Sequence, residues 1–334
     1  MTQNRRSTVA LAGVCIGAVL ALSLGSVTAL AQAPPAGGRG QAPGAGRGGG
    51  GFAADPRAQV RTYHFADAKQ DMQYCVFASS KVSKNTPAPL IVSLHGMGAP
   101  PTIMCNPTAV NLAEEGGYVL VAPMGYSTTG WFGSPVINMG AGRGRGGRGR
   151  GAAPGPGQGA GAPPAAAATP APAPAPPTAA AAPAPAGPSD EQIAKWSEQD
   201  VMNVLDMMRK EFTVDPKRIY LTGHSMGGAG TLFLGAKHAD LWAAIAPVAP
   251  ASFMMNNNRT EILGKMKAAG VPVLLLTGDA DEVVAPANTR MWAETLKELG
   301  VNHVYIEQPG VTHGPVITTS QKEIYDFFAK HAKK

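Results

Sequence analysis

The chain has 334 residues, and its 42 glycines and 30 prolines are concentrated in two places. From Gly140 to Pro188 every position is Gly, Ala, Pro or Arg except Gln158, Thr169 and Thr178, and residues 32–55 are nearly as poor in large side chains. Such stretches have too little to bury to offset their ordering entropy, which leaves 230 residues beyond the first 31, the size of one domain. The net charge of +6 comes from eight arginines in the leader and the low-complexity segments; the remainder carries 20 basic and 21 acidic residues, which excludes a basic nucleic-acid-binding fold.

In chain order, Arg5-Arg6 precedes an apolar stretch from Val9 to Leu30 that ends in Ala29-Leu30-Ala31, a small-x-small pattern. It predicts a signal peptide over residues 1–31, with cleavage after Ala31 or Ala33, and hence a chain exported to the periplasm or beyond. An uncleaved anchor is the other reading, because the stretch is nearly long enough to span a bilayer. Residues 32–55 read as a disordered linker. The mature chain keeps Cys75 and Cys105, either one disulfide or two buried thiols.

Tyr63–Ala66 and Met72–Ala78 read as a hairpin. Pro89–Leu94 and Tyr118–Ala122 are continuous apolar runs of the kind a doubly covered strand needs, with a helix between them over Thr108–Glu115. Beyond the 140–188 insert, Asp190–Phe212 has helical spacing, with Ile193, Trp196, Val201, Val204, Leu205 and Met208 on or near one stripe. Strands over Arg218–Thr222, Ala243–Val248, Val271–Thr277 and Asn302–Glu307 then alternate with helices over Gly227–His238, Glu261–Ala269, Ala287–Leu299 and Gln321–Ala332. This alternation predicts a single α/β domain, a mostly parallel sheet with helices on both faces, over residues 56–334 with the insert at 140–188 interrupting it.

Gly223-His224-Ser225-Met226-Gly227 lies between a strand and a helix, where a serine on a sharp turn is presented to the free N–H groups of the helix start. A serine needs a base, and His313 lies in the loop between the last strand and the last helix. His224 is expected to point away from the reaction centre. Among the acids after Val273–Thr277, Asp281 has the spacing to reach back to His313, and Asp279 is expected to bond the backbone of its own turn. The backbone amides of Met97, in Leu94-His95-Gly96-Met97-Gly98, and of Met226 are the candidate oxyanion donors. Tyr126 and Trp131, then Phe253 and Met254, follow strand ends and are candidates for a partly aromatic substrate pocket.

These motifs resemble those of the α/β-hydrolase superfamily. The stretch Glu198–Gly228, which holds Asp200-Val201 and Phe212-Thr-Val-Asp-Pro-Lys-Arg-Ile-Tyr-Leu-Thr-Gly-His-Ser-Met-Gly-Gly, is similar to secreted esterases grouped with polyhydroxybutyrate depolymerases, feruloyl esterases and dienelactone-hydrolase-like proteins. The resemblance implies an α/β-hydrolase fold and a serine esterase that needs neither metal nor cofactor, with Ser225, Asp281 and His313 as its triad. It departs from that group at Met97, where depolymerases often carry Cys, and in the insert. The expected activity is cleavage of carboxylic esters through an acyl-enzyme, on a small or oligomeric substrate of little charge. A peptidase of the oligopeptidase branch and a non-catalytic envelope-binding protein are the alternatives. Nucleic acid is not an expected partner; the Arg/Gly/Pro-rich insert reads as a solvated spacer, with a tether to the cell envelope or a flap over the site as the other readings.

Overall fold

The computed structural model describes residues 54–135 and 187–333. The leader, the linker up to residue 53 and the insert between residues 136 and 186 lie outside the described residues. Asp55, at the end of the stretch read as linker, belongs to the fold: it is buried, pairs with Arg57 at 2.8 Å and donates its amide to the Cys105 carbonyl.

Among the described residues eight strands form one sheet: β1 (Gln59–Phe65), β2 (Gln70–Ala78), β3 (Ala88–Leu94), β4 (Val119–Pro123), β5 (Val214–His224), β6 (Ala244–Val248), β7 (Val273–Gly278) and β8 (His303–Gln308). Their order is β1-β2-β4-β3-β5-β6-β7-β8. β1 pairs antiparallel with β2, and β2 with β4; every later pairing is parallel. β3, β4, β6 and β7 are buried along their whole length, as continuous apolar runs require. β5 begins four residues before the Arg218 expected from sequence. Its register against β3 shifts between Ala88 and Leu90, which accommodates Pro216, a residue without an amide to donate.

The helices are α1 (Pro107–Gly116), α2 (Asp190–Glu211), α3 (Met226–Lys237), α4 (Arg259–Ala269), α5 (Pro286–Leu299), a single turn α6 (Val316–Thr319) and α7 (Gln321–Ala329). On one face of the sheet α2, α3, α4 and α5 bury Leu205, Met208, Leu232, Met266 and Trp292 against Leu90, Val92, Val121 and Leu221. On the other, α1, α6 and α7 bury Val110, Ile317, Ile324 and Phe328 against Ile91, Leu120, Tyr220 and Leu274. Phe328 stacks on Tyr220 with ring centroids 4.6 Å apart, worth about 1 kcal/mol beyond its buried area. α2 starts at a Ser189 cap whose hydroxyl accepts from the Gln192 amide, and Asp190 and Glu191 face the positive end of its dipole. Cys75 and Cys105 are both free and wholly buried; the neighbouring Cys75 thiol and burial push the Cys105 thiol up.

Candidate active site

The parallel strands point their carboxyl ends at one edge, and the loops leaving β3, β4, β5, β7 and β8 gather there. β5 runs through His224, and α3 starts at Met226, so Ser225 alone makes the turn. It adopts φ 58° and ψ −114°, a strained conformation for a residue with a side chain. The strain is imposed by close packing: a Cβ on Gly227 would lie 2.1 Å from the Leu94 carbonyl oxygen, and one on Gly223 would lie 2.4 Å from the Gly227 oxygen. The first turn of α3 therefore rests directly on the backbone leaving β3. Ser225 is held by its amide to Val248 O at 3.0 Å, while its own carbonyl accepts from Ala229 and Ala251.

Asp281 follows β7 and is almost wholly buried. Its Oδ1 accepts the amides of Val283 at 2.9 Å and Val284 at 2.8 Å, leaving Oδ2 for His313 Nδ1 at 2.7 Å. Asp279 differs from expectation: its Oδ1 accepts the Gly310 amide at 2.6 Å, so it ties its turn to the loop after β8 rather than bonding within the turn. That loop passes so close that a Cβ on Gly278 would lie 2.0 Å from the Val311 oxygen.

His224 does not point away from this constellation. Its Nε2–H donates to the backbone carbonyl of His313 at 2.8 Å, and the two rings lie 4.6 Å apart. Burial, then the neighbouring His313, pushes its imidazole down to about 4, so it is neutral near pH 7. His224 thus fastens the His313 backbone to the residue next to Ser225. Among the described residues no hydrogen bond joins the Ser225 hydroxyl to the His313 ring; such bonds often tighten only when substrate is bound.

On the other side of Ser225, a Cβ on Gly96 would lie 3.7 Å from Ser225 Cβ, so the loop after β3 abuts the serine. The Met97 amide next to it has no acceptor among the described residues, and Met226 is the first residue of α3, where an amide has no partner within the helix. His95 is wholly buried, with its ring nitrogens 2.8 Å from the carbonyls of Gly96 and Met124.

Of the four expected pocket residues, Tyr126 and Trp131 are half-buried after β4, Tyr126 against Trp196 with centroids 5.0 Å apart. Phe253 and Met254 are exposed. Met254 lines a cavity of about 340 Å³ with Phe233, Ala236, Lys237 and Ile262. That cavity lies over the second half of α3 and the first half of α4, about two to three turns along α3 from the serine. Among the described residues no group of three or more His, Cys, Asp or Glu side chains is gathered to hold a metal ion.

The model of the prolyl oligopeptidase family matches residues 189–265 and 258–334. Cutinase 1 of Thermobifida cellulosilytica is 32% identical over 100 residues, 30% of this chain and 34% of that protein. The chain thus matches about a third of the length of this curated relative. A ferulic acid esterase superposes with a TM-score of 0.56 at 14% identity, covering 84% of this chain and 99% of that one. A thermostable esterase gives 0.54 at 18% identity, over 83% of this chain and 64% of the other. Strand order, the serine turn between β5 and α3, and these shared folds give the chain the α/β-hydrolase fold.

Proposed function

We propose that the protein is an exported serine hydrolase of carboxylic esters. The observation that carries this is the joint placement of Ser225 on its strained turn and the Asp281–His313 hydrogen bond of 2.7 Å, locked to that turn through His224. In the reaction His313 Nε2 takes the Ser225 proton as Oγ attacks the ester carbonyl. Asp281 holds Nδ1–H and stabilises the imidazolium that forms. The oxyanion is received by the amides of Met97 and Met226, each donor worth roughly 3 kcal/mol in the transition state. The alcohol leaves with the proton from His313, and water activated by the same imidazole releases the acid. Tyr126 and Trp131 would wall the substrate on the β4 side, with Phe253 on the β6 side; Met254 is the weakest member of that set, since it faces the α3–α4 cavity. Similarity to a cutinase and to esterases supports ester chemistry, and export is supported by the leader-like first 31 residues.

The test is release of p-nitrophenol from acetate, butyrate and octanoate esters by the purified protein beside Ser225→Ala. Loss of at least about 10⁴-fold in the variant, with unchanged melting, is expected. A folded wild type that neither turns over these esters nor reacts with a fluorophosphonate would contradict the proposal. A second reading, a serine peptidase, is favoured by the prolyl oligopeptidase family match. Release of p-nitroaniline from short peptide anilides, faster than ester turnover, would select it.

A further inference from the structure

Asp200 is a wholly buried carboxylate on α2 with no part in the chemistry above. Its Oδ1 accepts the Tyr63 phenol at 2.5 Å, and its Oδ2 accepts the Gly125 amide at 2.7 Å. Asn203 Nδ2 in turn donates to the Tyr63 oxygen at 3.4 Å. Burial pushes the Asp200 carboxyl up, while Tyr63 and the amides of Gly125, Tyr126 and Met124 hold it down. The Tyr63 phenol is pushed up by burial and by Asp200, so it remains a donor.

What this carboxylate grips is the loop after β4. That loop turns through positive φ at Gly125, Tyr126, Trp131, Phe132 and Gly133. Three of these carry side chains, and a residue so held costs about 1–3 kcal/mol unless its surroundings impose the conformation. The same loop touches the proposed oxyanion strand end at three points. Thr128 O accepts the Gly98 amide at 2.7 Å, Met124 O lies 2.8 Å from His95 Nε2, and the wholly buried Phe132 ring meets the His95 ring at 5.2 Å, edge to face.

We propose that Asp200, backed by Tyr63, is a positioning residue for the oxyanion hole: its carboxylate clamps the Met124–Tyr126 turn, and the loop so held sets Gly96–Gly98 and the Met97 amide against Ser225. The inference rests on the hydrolase reading above and deepens it. Two carboxylate oxygens suit donors arriving from two sides. An asparagine offers one acceptor and turns an N–H₂ against either the phenol or the Gly125 amide.

Asp200→Asn is compared with wild type on p-nitrophenyl butyrate, with kcat normalised to serine titrated by a fluorophosphonate. Inhibition by an alkylboronic acid, whose tetrahedral adduct uses the oxyanion donors, is measured in parallel. The expected result is a fall in kcat of about tenfold or more, a matching rise in the boronate inhibition constant and KM within about threefold, because the lost contact acts only in the transition state. A merely structural role would lower the melting temperature and leave kcat per titrated serine and the boronate constant unchanged; that result overturns the proposal. If Asp200→Asn does not fold, Tyr63→Phe decides by the same two readouts, with about a threefold loss in each expected and no change in either overturning the idea. Wild type inactive on the esters fails the proposed function itself, whereas active wild type matched by the variants fails this inference alone.

Discussion

The two flanks of Ser225 are held in different ways. On the β7–β8 flank, Asp281, His313 and His224 are linked through side-chain hydrogen bonds of 2.7–2.9 Å, and no non-glycine residue between 279 and 315 has positive φ. On the β3–β4 flank the side chains of Asp200, His95 and Phe132 serve to hold backbone in place, and Tyr126, Trp131 and Phe132 all sit at positive φ. In the proposed reaction the first flank places atoms that exchange a proton, so the side chains themselves are the machinery. The second, in the same proposed reaction, places a backbone N–H, which every residue but proline has, so what must be controlled there is the path of the chain.

The largest effect expected from breaking this division is on the side-chain flank. Asp281→Asn keeps the fold but spoils the tautomer of His313, and kcat should fall about 10³–10⁴-fold with little change in melting. On the backbone flank the matching cut is Phe132→Ala. It removes a wholly buried ring packed on His95 and against Gly230, at a cost of about 3–5 kcal/mol, read as a drop of roughly 10 °C in melting temperature. A melting loss below a few degrees there would show that the chain path is set elsewhere.

His224→Gln sharpens the comparison at an intermediate size. Losing the hold on the His313 carbonyl should lower kcat about tenfold, equivalent to one 1.4 kcal/mol step. It should also change the acid response. His224 is pushed down to about 4 in the fold, so between the unfolded value near 6.5 and that level the unfolded chain binds the extra proton. Its contribution is complete above about pH 6.5 and is lost as pH falls toward 4, at up to about 1.4 kcal/mol per pH unit. Urea midpoints from pH 7 to 4.5 should fall less steeply in the variant. The smallest effect belongs away from both flanks. Glu307→Gln removes the partner of the exposed Arg290 and of the Tyr305 hydroxyl, and should move melting by no more than about 3 °C without touching kcat.

The same division explains which parts were legible beforehand. Alternating apolar runs and helical stripes disclosed the sheet and its covering helices, and Ser225, Asp281 and His313 stood out because strand ends limit where reactive side chains can meet. Asp200 belongs to the stretch that carries the resemblance, yet its role needs the fold; its signal is its place four residues after Trp196 and four before Val204, on the stripe that turns inward, where a carboxylate needs partners. The direction of the His224 ring depends on the return of a loop 89 residues later, and no local pattern encodes it. The positive-φ run at Tyr126, Trp131 and Phe132 was equally hidden, since these residue types do not advertise that conformation.

The contact between Gly227 and the Leu94 carbonyl has a consequence for behaviour on heating. The serine and the neighbouring amide are joined through main chain pressed on main chain, with no rotatable side chain between them. His313, the proposed base, reaches the serine only across rotatable bonds, from a short loop whose carbonyl is held by one imidazole. Warming widens rotamer and loop excursions before it breaks packed backbone. Catalysis should therefore fade a few degrees below unfolding through the wandering of His313, while the serine and its proposed oxyanion donors still move as one piece.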